Sequence, residues 1–443
     1  MSDSHPLERS MDWRTLLRFT LPNIAILIAH SSYTIVDGIF VSRFVGALAL
    51  SSLNMVYPLI GLIFGVAFMI AIGGGALVAR LQGEGRLHRS RGIFTMLAMV
   101  AFGIALLFAG LGTLFIDPLV ELCGCTAAQH ELSRTYLLIN LWFAPAFVMQ
   151  MFCQIFFTAS GRPTFGFLAS LMAGSTNIAL DYLFIAQWGW GLAGAAYATG
   201  IGASVPAVFG VCYFWLRRSS VIRFTRPIWS LRDFGQACGN GSSEMVTSLA
   251  SSLITYLFNY NFLLFLGEDG VAAISIALYF QFFFTGIFYG FSEGTAPLVS
   301  YQFGRRNAIK LRQALRSSFK ILASMGILSL SISLLSLDTL LPIFIEPSEH
   351  TYDIAHAGFP IFAIAFSYMW FSVFGAAFFT ALGNGRVSAS IALGRNLILA
   401  IVIITLPQLI GVKGLWMCLP VAEALALFLT LYYLRKNRKN YSY

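Results

Sequence analysis

The chain of 443 residues is 58% hydrophobic and only 11% charged, whereas soluble domains are roughly 45–50% apolar and about 25% charged. This composition excludes an ordinary soluble enzyme, a nucleic-acid-binding domain and a disordered tail, and it is typical of an integral membrane protein. The formal net charge of +9 would suggest a nucleic-acid partner in a soluble protein. In a membrane protein, the positions of the basic residues matter more than their sum.

Twelve apolar stretches follow one another along the chain, and each is long enough to cross a bilayer as a helix. They are predicted at residues 14–41, 49–79, 92–116, 132–158, 164–187, 192–216, 236–266, 270–301, 313–336, 354–381, 387–410 and 415–434. Backbone polar groups in lipid must pair within the protein, and the period-2 alternation of a membrane barrel is absent. The predicted fold class is therefore an all-α integral membrane protein with twelve transmembrane helices.

The basic residues indicate the orientation of these spans. Of the 28 Lys and Arg residues, 24 precede span one, follow an even-numbered span or end the chain. The opposite loops carry acidic residues, namely Asp117, Glu121, Glu131, Glu268, Asp269, Asp338, Glu346, Glu349 and Asp353. By the positive-inside rule, we expect both termini in the cytoplasm and the protein in the inner membrane.

The two halves of the chain resemble each other at a shift of about 220 residues. Gly83 in "LVARLQGEGR" matches Gly304 in "LVSYQFGRRN", and Asp117 matches Asp338. Each half has six spans, so the halves share one orientation and are related by a pseudo-two-fold axis along the membrane normal. The predicted organisation is an N-lobe of residues 1–216, a basic linker of residues 217–235 and a C-lobe of residues 236–443.

Two such bundles can rock against each other around a cavity at their interface, which makes a transporter the first hypothesis. The chain contains no phosphate-binding loop, so the energy is expected from an ion gradient or a separate partner. We expect no cofactor beyond this coupling ion, and a monomer.

Acidic residues inside the first-half spans are the candidates for binding a coupling ion, because a charge at bilayer depth is costly. Asp37 lies late in span one and Asp181 lies midway along span five. Asn177 precedes Asp181 by one helical turn and projects from the same face. Gln154 and Thr199 add polar groups on spans four and six. Two carboxylates in one desolvated pocket would compete for a proton, or they could hold Na+.

The second half carries its own buried charges, which are Glu244, Glu293, Arg395 and Glu423. One Arg among three acids suggests an ion-paired network that lowers the cost of burial. A role in binding substrate or protons is an equally good interpretation.

The ordered motifs resemble the multidrug and toxic compound extrusion (MATE) family, in particular its bacterial MepA-like branch. The resemblance rests on "TIVDGIFVSRFVGALALSSLNMVYPL", on the repeated "GGGALVARLQGEGR" and "EGTAPLVSYQFGRRN", and on "ASGRPTFGFLASLMAGSTNIALDYLFI" followed by "GLAGAAYATGIG". It implies efflux of organic, often cationic, compounds in exchange for H+ or Na+.

The resemblance also assigns the site residues. Asp37, Gln154, Asn177, Asp181 and Thr199 fall where the family carries the acidic, cation-coupling cluster of its N-lobe. Span ten, "AIAFSYMWFSVFGAAFFTALG", lacks the Asp used by the Na+-coupled NorM branch. No metal is expected other than Na+ at Asp37 and Asp181.

Two alternatives stay open at this point. A flippase for lipid-linked precursors would need a strongly cationic cavity, for which Arg395 is the one basic residue deep in a span. A membrane-embedded enzyme would need a His/Asp or Cys/His pair at membrane depth, and His30 has no such partner near it in the sequence. The expected partners are lipophilic or cationic small molecules and the lipid bilayer, with no nucleic acid.

Overall fold

The computed structural model describes residues 5–217, 220–344, 350–441 and 443, and within these ranges the chain forms helices and no strand. The predicted loop residues Arg218, Glu346 and Glu349 lie outside the described residues. The helices are α1 (Trp13–Phe40), α2 (Ala47–Gly83), α3 (Leu87–Leu114), α4 (Ile116–Leu122), α5 (Ala127–Trp142), α6 (Ala144–Ala159), α7 (Pro163–Asp181), α8 (Gly191–Leu216), α9 (Leu231–Gly304), α10 (Ala308–Leu335), α11 (Leu337–Phe344), α12 (His350–Ala363), α13 (Trp370–Ala381), α14 (Gly385–Ile410) and α15 (Val412–Tyr441).

These helices provide the twelve predicted spans. In the described part of the chain, nine helical segments are long and apolar enough to cross a membrane, or ten when α5 and α6 form one span. Helix α9 supplies two of the twelve, because Gly267 interrupts its helical conformation with φ of 67° and ψ of −157°. Helix α1 completes the set; it is less apolar since it carries Asn23, His30 and Asp37. The predicted fold class is confirmed.

Two of the predicted spans are broken helices. Helices α5 and α6 meet at Phe143 with a bend of 52°, where Pro145 follows in the first turn of α6 and cannot donate a backbone hydrogen bond. A 3₁₀ turn at Ile364–Ser367 separates α12 from α13. The short helices α4 and α11 were not predicted, and they begin at residues equivalent in the repeat, Ile116 and Leu337.

The two six-span bundles, α1–α8 and α9–α15, meet along paired helices. Helix α2 packs against both halves of α9, and α1 packs against the second half. The contacts are reciprocal: a Cβ atom on Gly83 would lie 2.1 Å from the carbonyl oxygen of Tyr301, and one on Gly304 would lie 2.2 Å from that of Arg80. Only glycine fits such an approach of two backbones.

A second pair of contacts lies about two to three turns further along the same helices. A Cβ atom on Gly73 would lie 2.0 Å from the carbonyl oxygen of Ala237. Gly294, the equivalent of Gly73 in the repeat, also packs against the opposite lobe, but on the side chains of Thr20 and Asn23 of α1. The internal repeat read from the sequence therefore reappears as a symmetric interface between the lobes.

The N-terminal segment His5–Asp12 lies across both lobes at the face that carries most of the basic residues, called the basic face below. Leu7 and Met11 are fully buried in the core of the C-lobe. The guanidinium of Arg305 donates to the carboxylate of Glu8. His5 stacks on Tyr301 with ring centroids 4.6 Å apart.

Substitution Gly83→Ala is expected to lower the free energy of unfolding by about 1–3 kcal/mol, because the added methyl group would collide with backbone rather than with a movable side chain. Gly103→Ala is the control, since a Cβ there would have nothing within 4 Å. Thermal unfolding of the purified variants measures both. Equal midpoints for the two variants would contradict the tight interface.

Docking of the N-terminal segment is expected to weaken as the pH falls. Burial lowers the pKa of His5 below 6.5, and the facing charges of Glu8 and Arg305 act in opposite directions on it. The undocked imidazole binds its proton more readily, so docking is strongest above about pH 6.5 and weakens below it. Protonation also removes the Nδ1 acceptor of the Leu7 backbone N–H, now 3.2 Å away.

Hydrogen exchange of residues 5–12 at about pH 7.5 and about pH 5.5, on either side of the ordinary His value, tests this expectation. Protection, corrected for the intrinsic pH dependence of exchange, should fall in the wild type. It should stay constant in His5→Phe, which keeps a ring against Tyr301 but cannot titrate. Equal protection of the wild-type segment at both pH values would refute it.

Candidate functional site

Asp37 and Asp181 lie where two α-helices change into wider π-helical turns. Asp37 is in the last turn of α1, just before the π-helical segment Val41–Val45. Asp181 is the last residue of α7 and precedes the π-helical segment Tyr182–Gln187. The two π-helical segments contact each other. Such turns occur frequently at functional sites because they re-aim side chains within a helix.

The two acids face each other inside the N-lobe. Their carboxyl groups are close enough to interact directly. Asp181 has no exposed surface, and Asp37 is partly buried. This placement is consistent with the prediction that the two acids come together. Their function stays a prediction.

Next to this pair lies a cavity, called the acid cavity here. Asp37, Asn177 and Thr199 line it, and Asn177 donates to the Thr199 hydroxyl over 3.4 Å. The other polar residues in its wall are His30, Tyr33, Tyr57, Tyr136, Asn140 and Gln150. The cavity therefore combines carboxyl, amide, imidazole and phenol groups within an apolar bundle.

Several oxygen atoms in this region lack a hydrogen-bond donor within the described part of the chain. They are Oδ1 of Asp37, both carboxyl oxygens of Asp181 and Oδ1 of Asn177. Burying an ionised carboxylate without a donor or a cation costs several kcal/mol by the usual order of magnitude. A proton or a hard cation such as Na+ would meet that need, since hard cations take oxygen ligands. The residues present thus fit either ion.

Gln154 lies in a different cavity from Asp37, Asn177 and Thr199. This inter-lobe cavity is lined by α1, α2 and α6 of the N-lobe and by Glu293, Ala296 and Pro297 of α9. His30 and Met151 belong to the walls of both cavities. Gln150, one turn before Gln154, is the amide that reaches the acid cavity.

The predicted charge network of the C-lobe divides into two parts. Arg395 on α14 pairs with Glu423 on α15, with its Nε at 2.8 Å and its Nη2 at 2.6 Å from the same carboxylate oxygen. The two side chains are 11% and 1% exposed. Among the described residues, Arg395 makes an ion pair with no other acid. Glu244 and Glu293 lie near each other on α9, with Tyr289 between this pair and Arg395.

Sequence reasoning missed Tyr136, Asn140 and Gln150 as cavity residues. Tyr136 and Asn140 are four residues apart on α5, so they share one helix face. The same spacing relates Gln150 to Gln154 on α6. The signal that could have identified them is the occurrence of two polar residues one helical turn apart inside an apolar span.

Comparisons with known proteins agree with this architecture. The sequence profile of the family described as MatE matches residues 22–183 and, separately, residues 244–406. The chain is 22% identical to the multidrug export protein MepA of Staphylococcus aureus strain bovine RF122 / ET3-1, covering 97% of this chain and 95% of that protein. The double match coincides with the internal repeat.

Solved structures share the fold over the full length. A crystal structure of MATE in complex with MaD3S superposes with a TM-score of 0.93 at 19% identity and covers 100% of this chain and 99% of the other. A crystal structure of MATE in the straight conformation gives the same values.

Removing one member of the buried pair in the C-lobe should be more costly than removing both. Glu423→Gln is expected to destabilise the protein by about 3–5 kcal/mol, because it leaves Arg395 charged and unpaired in an apolar bundle. The double variant Arg395→Met/Glu423→Gln should recover part of this loss. Thermal unfolding in detergent measures the difference.

The matched control is Asp117→Asn, which removes the partner of Arg134 in an exposed pair whose side chains are 35% and 53% exposed. Its cost should stay below about 1 kcal/mol. A double variant less stable than Glu423→Gln alone would show that the two charges contribute independently of each other.

Proposed function

The chain belongs to the MatE family of transporters, and on that premise we propose that it is a secondary active multidrug efflux antiporter of the inner membrane. It exports organic, often cationic, compounds in exchange for H+ or Na+, with both termini in the cytoplasm. The observation that carries the proposal is the buried pair Asp37 and Asp181 beside the acid cavity. The chain needs no cofactor other than the coupling ion.

The acid pair suits ion coupling because its charge is uncompensated. The described part of the N-lobe supplies no Lys or Arg to the wall of the acid cavity. A cation entering this region therefore gains a large electrostatic stabilisation that disappears once the acids are solvated. Asn177 and Thr199 add the amide and hydroxyl oxygens that Na+ would also require.

The interface between the lobes supports alternating access. Contact between α2 and α9 is tightest near the basic face, where Cβ atoms on Gly83 and Gly73 would meet backbone at 2.1 and 2.0 Å. At Gly65 the nearest neighbour would be 3.5 Å away, and at Gly61 nothing would lie within 4 Å. Ser248 of α9 still donates to the Gly61 carbonyl over 3.4 Å, so the two helices touch through a side chain there while their backbones lie further apart than at the basic face. This looser contact supports a cleft that opens to the outside. We take residues 1–216 and 236–443 as the moving lobes, joined by the linker 217–235.

The inter-lobe cavity is the site we propose for substrate. Its wall is largely apolar and carries one carboxyl group, that of Glu293. An apolar pocket with a single acid favours lipophilic cations, because burial and charge pairing act on the same ligand. His30 and Met151 line both this cavity and the acid cavity. An ion in one cavity and a substrate in the other would therefore contact the same residues.

A flippase for lipid-linked precursors is not favoured by the geometry. Such a substrate carries pyrophosphate and needs free cationic groups in the cavity. Arg395, the candidate for that role, is neutralised by Glu423 at 2.6 Å. It is also absent from the walls of both cavities.

Asp37→Asn and Asp181→Asn are expected to insert and fold but to lose gradient-driven efflux by at least about tenfold, since an amide cannot take up the coupling proton. The control is Glu131→Gln, the same chemical change at an exposed position. Transport of a fluorescent lipophilic cation into inverted vesicles provides the measurement. Normal efflux by both Asn variants would overturn the assignment of the coupling site.

The same vesicles identify the ion. An imposed pH gradient without Na+ should drive transport if protons are coupled, and an imposed Na+ gradient at equal pH should drive it if Na+ is. Transport that follows ATP addition and neither gradient would contradict secondary active antiport.

A further inference from the structure

Helix α10 carries three basic residues on one side of its first three turns. Arg312, Arg316 and Lys320 are spaced by four residues and are all exposed. At 100° per residue they lie within about 80° of one another around the helix and span about 12 Å along its axis. In the described part of the chain, none of the three side chains makes an ion pair or a hydrogen bond. We call this group the basic stripe.

An exposed apolar surface continues in line with the basic stripe. Ile309, on the same side of α10, is 83% exposed, and Ile327, about two turns beyond Lys320, is 63% exposed. In a membrane this side of α10 faces lipid, because the span predicted at 313–336 leaves it uncovered by other helices. The basic stripe therefore sits at headgroup depth, above a path for acyl chains.

In the N-lobe, the linker covers the surface that is equivalent to the basic stripe. Helix α3 corresponds to α10 at a shift of 221 residues, which places Arg91 and Thr95 at the positions of Arg312 and Arg316. In α3 the linker covers them: the Arg91 Nε donates to the Val221 carbonyl over 2.8 Å, and the Thr225 N–H donates to the Thr95 hydroxyl over 3.1 Å.

Ile228 of the linker also packs closely against α3. The Ile228 N–H donates to the Gly92 carbonyl over 3.1 Å, and a Cβ atom on Gly92 would lie 2.4 Å from the Ile228 side chain. In the C-lobe the corresponding stretch is the N-terminal segment, where the Lys310 Nζ donates to the Arg9 carbonyl over 3.3 Å. Its described residues, from His5 onward, leave the three cations exposed, and the groove beside these cations is lined by residues of α10.

We propose that the basic stripe of Arg312, Arg316 and Lys320 binds the headgroup phosphate of an anionic phospholipid, which covers α10 as the linker covers α3. The lipid comes from the leaflet at the basic face. Three cations spread over about 12 Å can pair with a headgroup phosphate and with the charged or hydroxyl groups next to it. Clustered Lys and Arg at the membrane surface attract anionic lipids. The acyl chains run along Ile327 and the lipid-facing side of the helix.

The test uses the full-length protein in detergent, titrated with phosphatidylglycerol and followed by native mass spectrometry. The triple variant Arg312→Gln/Arg316→Gln/Lys320→Gln should bind roughly a hundredfold more weakly, because each basic side chain near the surface contributes several-fold. A second variant, Arg316→Gln alone, should show a smaller loss and guards against misfolding of the triple variant.

The matched control removes the same charge at the same face, in Arg435→Gln/Lys436→Gln/Lys439→Gln on the last turns of α15, and should bind like the wild type. Phosphatidylcholine should not compete, and inorganic phosphate should not displace the lipid. Equal binding by the stripe variant and the wild type would overturn the proposal. So would equal losses in both triple variants, which would indicate attraction by net charge, or displacement by phosphate, which would indicate a site for the free anion.

Discussion

Direct contact between helix backbones is the constraint on which the two-lobed architecture depends. Gly83 and Gly304 each lie against a backbone carbonyl group of the opposite lobe, and Gly73 lies against that of Ala237 deeper in the membrane. Helices in lipid gain little from apolar contact with each other, so close van der Waals packing between small residues is what holds such an interface together. The reciprocal contacts of Gly83 and Gly304 agree with the pseudo-two-fold axis that the internal repeat predicts.

Most of the fold could be predicted because it depends on hydropathy, basic residues and repetition, which are all visible in one sequence. The shift that matched Gly83 with Gly304 also matches the starts of α4 and α11. The breaks could not be placed from the sequence alone. Pro145 and Pro360 lie near the two breaks, but Pro58 and Pro206 lie inside helices that continue, so a proline does not distinguish a broken span from an intact one.

The candidate site was predictable in part, for a similar physical reason. Buried acids are rare enough in spans for Asp37 and Asp181 to stand out, and one-turn spacing placed Asn177 beside Asp181. The direction in which Gln154 points was not predictable, because it depends on the bend between α5 and α6. The pairing of the C-lobe charges was not predictable either. Arg395 could have paired with any of three acids, and the packing of the helices determines that it pairs with Glu423. The functions of these residues remain predictions.

The docked N-terminal segment has a consequence for biogenesis. Glu8 and its partner Arg305 are 297 residues apart in the chain. At about 5–20 residues per second, the ribosome needs roughly 15–60 s to make the intervening spans. Throughout that time Leu7 and Met11 have no C-lobe core to enter. These residues are therefore synthesised long before the C-lobe but reach their final place only after it, and their burial marks the moment when both halves of the protein have been assembled.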